Sequence, residues 1–413
     1  MRSPGEQLSA LRALLSSITP ANDFQTQRVA AAGLAADEIG SLDEFIARVP
    51  FTRKDELVED QAARLPYGSN LSFPLEHYTR FCQTSGTTAR PLAILDTPES
   101  WDWMLENWLA GYAEAGVERT DRIYFAFSFG PFLGFWTAFE AAAKLGCLCL
   151  PGGGLSSVGR LRAIIDHGAT VLCCTPSYAL HLADTAQRER IDLSHAQVRT
   201  IMVAGEPGGS IGSVREKIGT AWNGAAVLDH YGMTEVGPVA FQRLHECNVL
   251  RIPEERYFAE IIDAQTGAPA AAGTVGELVL TPLGRTAWPL LRYRTGDLVK
   301  RMPSEEGFAL AGGIIGRVDD MVVVRGVNLY PSAIDSAVRA LPAIEEYRVH
   351  VSRRGALAEV AIEIEAEDDR AAKQLERSLS EAFALRIPVT CAAPGTLPRF
   401  EMKARRWVRD DSP

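Results

Sequence analysis

Hydroxyl-bearing and charged residues gather in a few short stretches that favour neither strand nor helix. The densest is Gln83-Thr84-Ser85-Gly86-Thr87-Thr88-Ala89-Arg90-Pro91, set between apolar runs at 78–82 and 92–95. Ser and Thr side chains bond the local backbone in turns, and Gly86 can take angles closed to other residues. N–H groups and hydroxyls can therefore converge on one anion, with Arg90 adding charge. A solvated hairpin turn fits the same residues. A second stretch, His230-Tyr231-Gly232-Met233-Thr234-Glu235-Val236-Gly237-Pro238, offers a ring to stack on a purine, a hydroxyl for a phosphate and a carboxylate for a hard cation. The alternative there is a core tyrosine with its hydroxyl satisfied, beside a solvated Glu235. In Leu291-Arg292-Tyr293-Arg294-Thr295-Gly296-Asp297-Leu298, a carboxylate directly after glycine on a turn can accept from both hydroxyls of a ribose diol. Gly-Asp is also a common ordinary turn. Gly205-Glu206-Pro207-Gly208-Gly209-Ser210 is too rich in glycine and proline to extend a strand, and reads as a loop against which a ligand can lie.

The whole chain narrows what these stretches can serve. Its 413 residues suffice for two or three domains, and 46% apolar with 23% charged residues describes a folded globular protein. A formal net charge of −10 leaves no basic stripe for a duplex, so nucleic acid is not expected as a partner. Leu8, Leu11, Leu14 and Leu15 share one face of a docked N-terminal helix, not a secretion signal. The most apolar window, 123–150, is broken by Gly130-Pro131, Glu140 and Lys144, so no membrane span is expected. Seven cysteines, an odd number without regular spacing, point to a reducing cytoplasmic setting, with Cys147, Cys149, Cys173 and Cys174 as small buried hydrophobes. His245-Glu246-Cys247 is the one cluster of mixed ligand types, and its spacing supplies no further ligands for a structural metal.

The elements that must position these stretches follow from periodicity. Residues 1–75 are helical and polar-rich, a lid or brace, with Thr52 capping a helix and Asp55 three residues on. Short β-branched or aromatic runs at 123–127, 147–150, 171–174, 200–204 and 226–229 alternate with helical segments. That alternation predicts a parallel sheet with helices on both faces and ligands at the carboxyl ends of the strands. From 241 to 310 short strands dominate, with 258–262 and 276–281 forming a hairpin around the turn at 263–267. Beyond Gly316, a strand at 321–324, a helix at 332–341 capped by Ser332, strands at 347–352 and 359–364 and a helix at 370–385 make a compact α+β unit. The expected fold class is α/β. A large domain, residues 1–316, holds doubly wound, mostly parallel sheets and a small β-rich subdomain; a small mobile α+β domain spans 317–413.

Thr84-Ser85-Gly86-Thr87-Thr88, Tyr231-Gly232-Met233-Thr234-Glu235, Tyr293-Arg294-Thr295-Gly296-Asp297, Gly316-Arg317-Val318-Asp319-Asp320 and the late Lys403 stand in the order and spacing of the adenylate-forming superfamily, which the chain resembles from about residue 40 to its end. Ala204-Gly205-Glu206-Pro207, Thr175-Pro176-Ser177-Tyr178 and Arg325-Gly326-Val327-Asn328-Leu329-Tyr330-Pro331-Ser332 look most like phenylacetate-CoA ligases and their relatives in secondary metabolism.

The resemblance implies roles residue by residue. Thr84, Ser85, Gly86, Thr87 and Thr88 would form the phosphate loop, with Arg90 where lysine is more usual and Ala89 where glycine is. Gly205, Glu206 and Pro207 would border adenine, and Tyr231 would stack on it, with Asp229 and Gly232 in the same cofactor site. Thr234 would contact the α-phosphate and Glu235 the Mg2+, while Asp297 and Arg317 would hold the ribose. Thr234, Glu235 and Lys403 are the expected catalytic residues, Lys403 bridging the substrate carboxylate and the α-phosphate. Turning about a hinge at Asp319 would bring Gly326 to line a pantetheine tunnel. Tyr124, Phe129, Phe132, Phe135 and Trp136, with Gly232 and Met233, would line a pocket for an aromatic carboxylate, since rings favour rings. The implied reaction uses ATP, Mg2+ and CoA: an aryl acid becomes an acyl-adenylate and then a thioester. Loading of an acyl or peptidyl carrier protein is the close alternative, a non-catalytic nucleotide-binding scaffold the distant one, and a homodimer is possible.

Overall fold

A computed structural model of the chain describes residues 3–34, 39–84, 91–304, 306–320, 322–324, 327–354, 357–400 and 406–409. Two compact units emerge. The first joins Met1–Gly154 to His230–Gly313, and the second joins Leu155–Asp229 to Ile314–Pro413. In chain order the strands that matter are β1 (Arg80–Gln83), β2 (Ala93–Asp96), β3 (Arg122–Phe125), β4 (Leu148–Pro151), β5 (Val171–Cys174), β6 (Thr200–Val203) and β7 (Ala226–Met233). Then come β8 (Gly237–Phe241), β9 (Val249–Ile252), β10 (Tyr257–Ile262), β11 (Val275–Pro282), β12 (Tyr293–Met302) and β13 (Phe308–Ala311).

In the first unit β1 and β2 form an antiparallel hairpin with Arg80 opposite Asp96 and Gln83 opposite Ala93, and β3 runs parallel to β4. The end of β7 opens an antiparallel series through β8, β9, β13, β12, β11 and β10. The expected hairpin at 263–267 is present, its turn fixed by the Asp263 carboxylate accepting from the N–H groups of Gln265 and Thr266 at 3.1 and 2.7 Å. The N-terminal helix Pro4–Ile18 starts at Ser3, whose hydroxyl accepts from the Glu6 N–H while the Glu6 carboxylate accepts from Ser3. Its buried Leu11, Leu14, Leu15 and Ile18 pack with Phe45, Val49, Phe258, Leu283 and Leu291. At about 1.5–3 kcal/mol for each fully buried side chain, this face braces the unit.

Thr52 does not cap a helix. The helix is Lys54–Ala63, preceded by Arg53, whose N–H donates to the Glu56 carboxylate at 2.7 Å. Thr52 is buried, its hydroxyl donating to the Leu291 carbonyl at 2.6 Å and its backbone bridging to the start of β12. A β-branched residue suits that extended bridge, and pairing there satisfies a backbone that would otherwise be buried unbonded.

In the second unit β5, β6 and the first half of β7 pair in parallel, as the alternation of the sequence predicts. Cys173 and Cys174 are buried on β5, and all seven cysteines are free thiols. Toward the C-terminus, strands Tyr347–Arg354 and Leu357–Glu365 pair antiparallel. Val389–Ala392 and Trp407–Arg409 flank them in parallel. The helices Pro331–Arg339 and Asp369–Phe383 bury Ile334, Val338, Leu375 and Leu379 against this sheet. The first of them begins one residue before Ser332, because the fixed φ of Pro331 suits the opening helical position. Among the described residues no helix is long and apolar enough to cross a membrane.

Candidate active site

The tightest cluster of expected residues lies on the β7–β8 hairpin of the first unit. β7 ends at Met233, Thr234, Glu235 and Val236 turn, and Gly237 closes the hairpin at φ 89°, a left-handed position that glycine fills without strain. Tyr231 is 8% exposed and its hydroxyl donates to Asp297 Oδ2 at 2.6 Å. Asp297 does not sit on a free turn. It lies within β12, where Gly296 at φ 75° and a register shift against β11 make a bulge that re-aims the carboxylate inward. Its N–H donates to Thr295 Oγ1 at 3.0 Å, and the Thr295 hydroxyl donates to the Leu278 carbonyl at 2.7 Å.

Glu235 is buried, not solvated. The Lys54 ammonium stands 2.9 Å from its Oε1 and the Tyr293 hydroxyl 3.4 Å from the same oxygen. A buried carboxylate oxygen is the donor a hard divalent ion takes, so Glu235 would fit a magnesium ion that displaces the Lys54 ammonium.

The turn is fastened from behind. Arg285, fully buried, donates from Nε and Nη2 to the two Asp96 oxygens at 2.8 and 2.5 Å, and from Nη1 to the carbonyls of Thr234 and Glu235, each at 2.9 Å. The Tyr257 hydroxyl lies 3.0 and 2.7 Å from the carbonyls of Val236 and Pro238. Thr84, at the end of β1, accepts from the Leu92 N–H at 3.0 Å and closes the base of the β1–β2 hairpin. Ser85, Gly86, Thr87, Thr88 and Arg90, expected as the phosphate loop, lie outside the described residues, as do Gly326 and Lys403.

Four of the five expected pocket aromatics belong to one group of rings. Phe127 stacks on Phe135 at 4.3 Å, Phe129 meets Trp136 at 4.9 Å, and Phe132 meets Phe135 edge-on at 5.9 Å. Tyr124 stands apart, buried on β3, with its hydroxyl 2.9 Å from where a Cβ on Gly152 would lie. Next to Gly232 and Met233 on β7, His230 packs at a tilt against Trp108 at 4.1 Å and Phe241 at 4.6 Å. Burial lowers its pKa to about 3, so the imidazole is neutral, and neither ring nitrogen has a partner among the described residues.

The second unit holds the other expected residues. Gly205, at φ 94°, lets the chain turn after β6, Pro207 is exposed, and the Glu206 carboxylate accepts from the Ser177 N–H at 2.8 Å, tying the loops after β5 and β6 together. Asp229 accepts from the Ser210 hydroxyl, and a Cβ on Gly209 would lie 2.5 Å from its Oδ1, so the carboxylate depends on glycine there. Arg317 Nε donates to Asp319 Oδ1 at 3.0 Å, and Arg409 donates to the Asp319 carbonyl at 2.8 Å. In the first unit, Cys247 is exposed and Glu246 is engaged by Arg251 at 2.6 and 2.8 Å; among the described residues no three His, Cys, Asp or Glu side chains gather as a metal site.

Sequence reasoning missed Lys54, Asp96 and Arg285, and named Tyr293 only within a motif, with no role. Lys54 carries a signal in retrospect, since a cation in the first helical turn opposes the helix dipole and asks for a reason. Arg285 does too: a charge inside the apolar run 278–291 must be paired when buried.

A family model described as AMP-binding enzyme matches residues 18–282, and one described as AMP-binding enzyme C-terminal domain matches 326–411. The chain is 31% identical to the phenylacetate-coenzyme A ligase of Pseudomonas putida, over 96% of this chain and 92% of that protein. It is 29% identical to the Escherichia coli strain K12 protein of the same name, over 91% and 87%. It matches the crystal structure of 2-hydroxyisobutyryl-CoA ligase, in the postadenylation state, with a TM-score of 0.92 at 26% identity, over 99% of this chain and 90% of that one.

Proposed function

Since this chain belongs to the AMP-binding enzyme family, we propose that it is an acid–thiol ligase that joins an aromatic carboxylic acid to coenzyme A through an acyl-adenylate. A carboxylate oxygen of the acid attacks the α-phosphorus of ATP and pyrophosphate leaves. The CoA sulfur, as thiolate, then attacks the acyl carbonyl carbon and AMP leaves.

The observation that carries this reading is that the first unit holds both a buried Asp297, fixed by the Tyr231 hydroxyl at 2.6 Å, and a buried Glu235 with the Lys54 ammonium 2.9 Å away. Asp297 accepts from a ribose hydroxyl, and the motif of Arg317 gives that residue the same ligand. Thr234 donates to the α-phosphate. By their motifs, Glu206 and Pro207 border the adenine and Tyr231 stacks on it. Glu235 would hold a magnesium ion, which when bound would supply positive charge to the phosphates where two anions meet. Thr84 to Thr88 and Arg90 wrap the outer phosphates, and Lys403 bridges the acid and the α-phosphate; both assignments rest on the motifs. The rings around Phe127 and Phe135 favour an aromatic acid by offset stacking worth about 0.5–1.5 kcal/mol beyond area burial. Free cysteines throughout support a cytoplasmic setting.

The test is ATP–pyrophosphate exchange across a panel of aromatic and aliphatic acids, followed by CoA or a holo carrier protein as acceptor. Exchange with aromatic acids and a CoA thioester is expected. Exchange confined to aliphatic acids would overturn the aromatic assignment, thioester on the carrier protein alone would move the acceptor, and no exchange with any acid would overturn the reading.

A further inference from the structure

We propose that Arg285 is a positioning residue of the adenylation step, locking the turn that bears Thr234 and Glu235 to the strand that follows the hydroxyl-rich loop. The proposal rests on the functional reading above. One carboxylate would suffice to neutralise a buried guanidinium, and Asp96 does so with both oxygens. The third edge of the fork is directed elsewhere, onto the two consecutive carbonyls of Thr234 and Glu235 at 2.9 Å each. Those carbonyls belong to a three-residue hairpin turn, where backbone groups usually face water; here they are held by a charged donor inside the protein. Fixing both carbonyls fixes the backbone angles of the turn, and with them the directions of the Thr234 hydroxyl and the Glu235 carboxylate.

The other end of the strut lies on β2. That strand follows the 84–91 loop, whose base is closed by Thr84 and Leu92 exchanging bonds at 3.0 and 3.1 Å. The β7–β8 turn and the strand that follows the segment assigned to the phosphates in the functional reading are thus joined through one side chain. Lysine cannot replace it, because a single ammonium can pair with Asp96 but lacks the fork to reach two carbonyls at the same time.

The experiment separates positioning from plain stability by reading the two half-reactions apart in Arg285→Lys. Pyrophosphate exchange with the acid that wild type accepts best should fall ~10–100-fold, the usual effect of losing an outer-shell partner. The half-saturating Mg2+ should rise and the Mg2+-induced gain in thermal stability should shrink. Acylation of CoA from supplied acyl-adenylate, which needs neither ATP nor the cation at Glu235, should fall much less. Equal loss in both half-reactions, or no loss in exchange, overturns the proposal. Should Arg285→Lys not fold, Asp96→Asn is read in the same assays; it slackens the anchor while leaving the carbonyl bonds, and the same split is expected at smaller size. Failure of both variants to fold makes Arg285 a structural strut and also overturns it. A wild-type chain that exchanges with no acid refutes the functional reading instead.

Discussion

Replacing Lys54 by methionine tests whether Glu235 is a cation site at all. Methionine keeps much of the stem and removes the ammonium that lies 2.9 Å from Glu235 Oε1. Breaking a fully buried ion pair costs about 3–5 kcal/mol, and breaking an exposed one about 0–1. Here the carboxylate side chain is 4% exposed and the lysine 43%, so solvent screens one end, and about 1–2 kcal/mol is the expected loss of stability without metal. The Tyr293 hydroxyl, at 3.4 Å, replaces little of it. Magnesium at ~100 times its dissociation constant adds about 2.7 kcal/mol to whichever state binds it. In wild type part of that gain is spent displacing the ammonium; in Lys54→Met it is not. Thermal unfolding in chelator and in Mg2+ should therefore show a variant that is weaker without metal and gains more from it. A variant that unfolds at the wild-type temperature in chelator and responds equally to Mg2+ would refute the cation-site argument.

Four further outcomes follow. Gly111→Ala should destabilise, because its Cβ would lie 2.1 Å from the Phe241 ring, which is held by Trp108 and His230; overpacking of about 1–3 kcal/mol outweighs the helical gain of about 0.5–1. Gly134→Ala, with nothing within 4 Å, should instead be stabilising, and urea midpoints compare the two. His230 has a folded pKa lowered to about 3 by burial, so its contribution is fully present above the ordinary 6.5 and is lost as pH falls between them, by up to about 1.4 kcal/mol per unit. His230→Phe keeps the ring packing, and its urea midpoint should fall less than wild type between about pH 7 and 4.5; equal falls would sink the assignment. Asp319→Pro should leave pyrophosphate exchange intact and abolish thioester formation, and equal impairment of both would remove Asp319 from its hinge role.

The sequence by itself determined the element types and the family. Parallel strands show as short apolar runs between helical segments, and the C-terminal helices and central hairpin show by their own periods, because local patterning decides which face must be buried. The short edge strands Val389–Ala392 and Trp407–Arg409 have no buried residue, so no apolar run marks them. The motifs placed Tyr231, Glu235 and Asp297 in one functional set, yet tertiary structure alone decided their surroundings. Asp297 looked like a turn aspartate and lies in a bulged strand. Glu235 faces Lys54 from 181 residues away, and Arg285 reaches Asp96 across 189. Such pairings arise because a buried charge must find a partner wherever the fold brings one, and no spacing along the chain encodes which partner that will be.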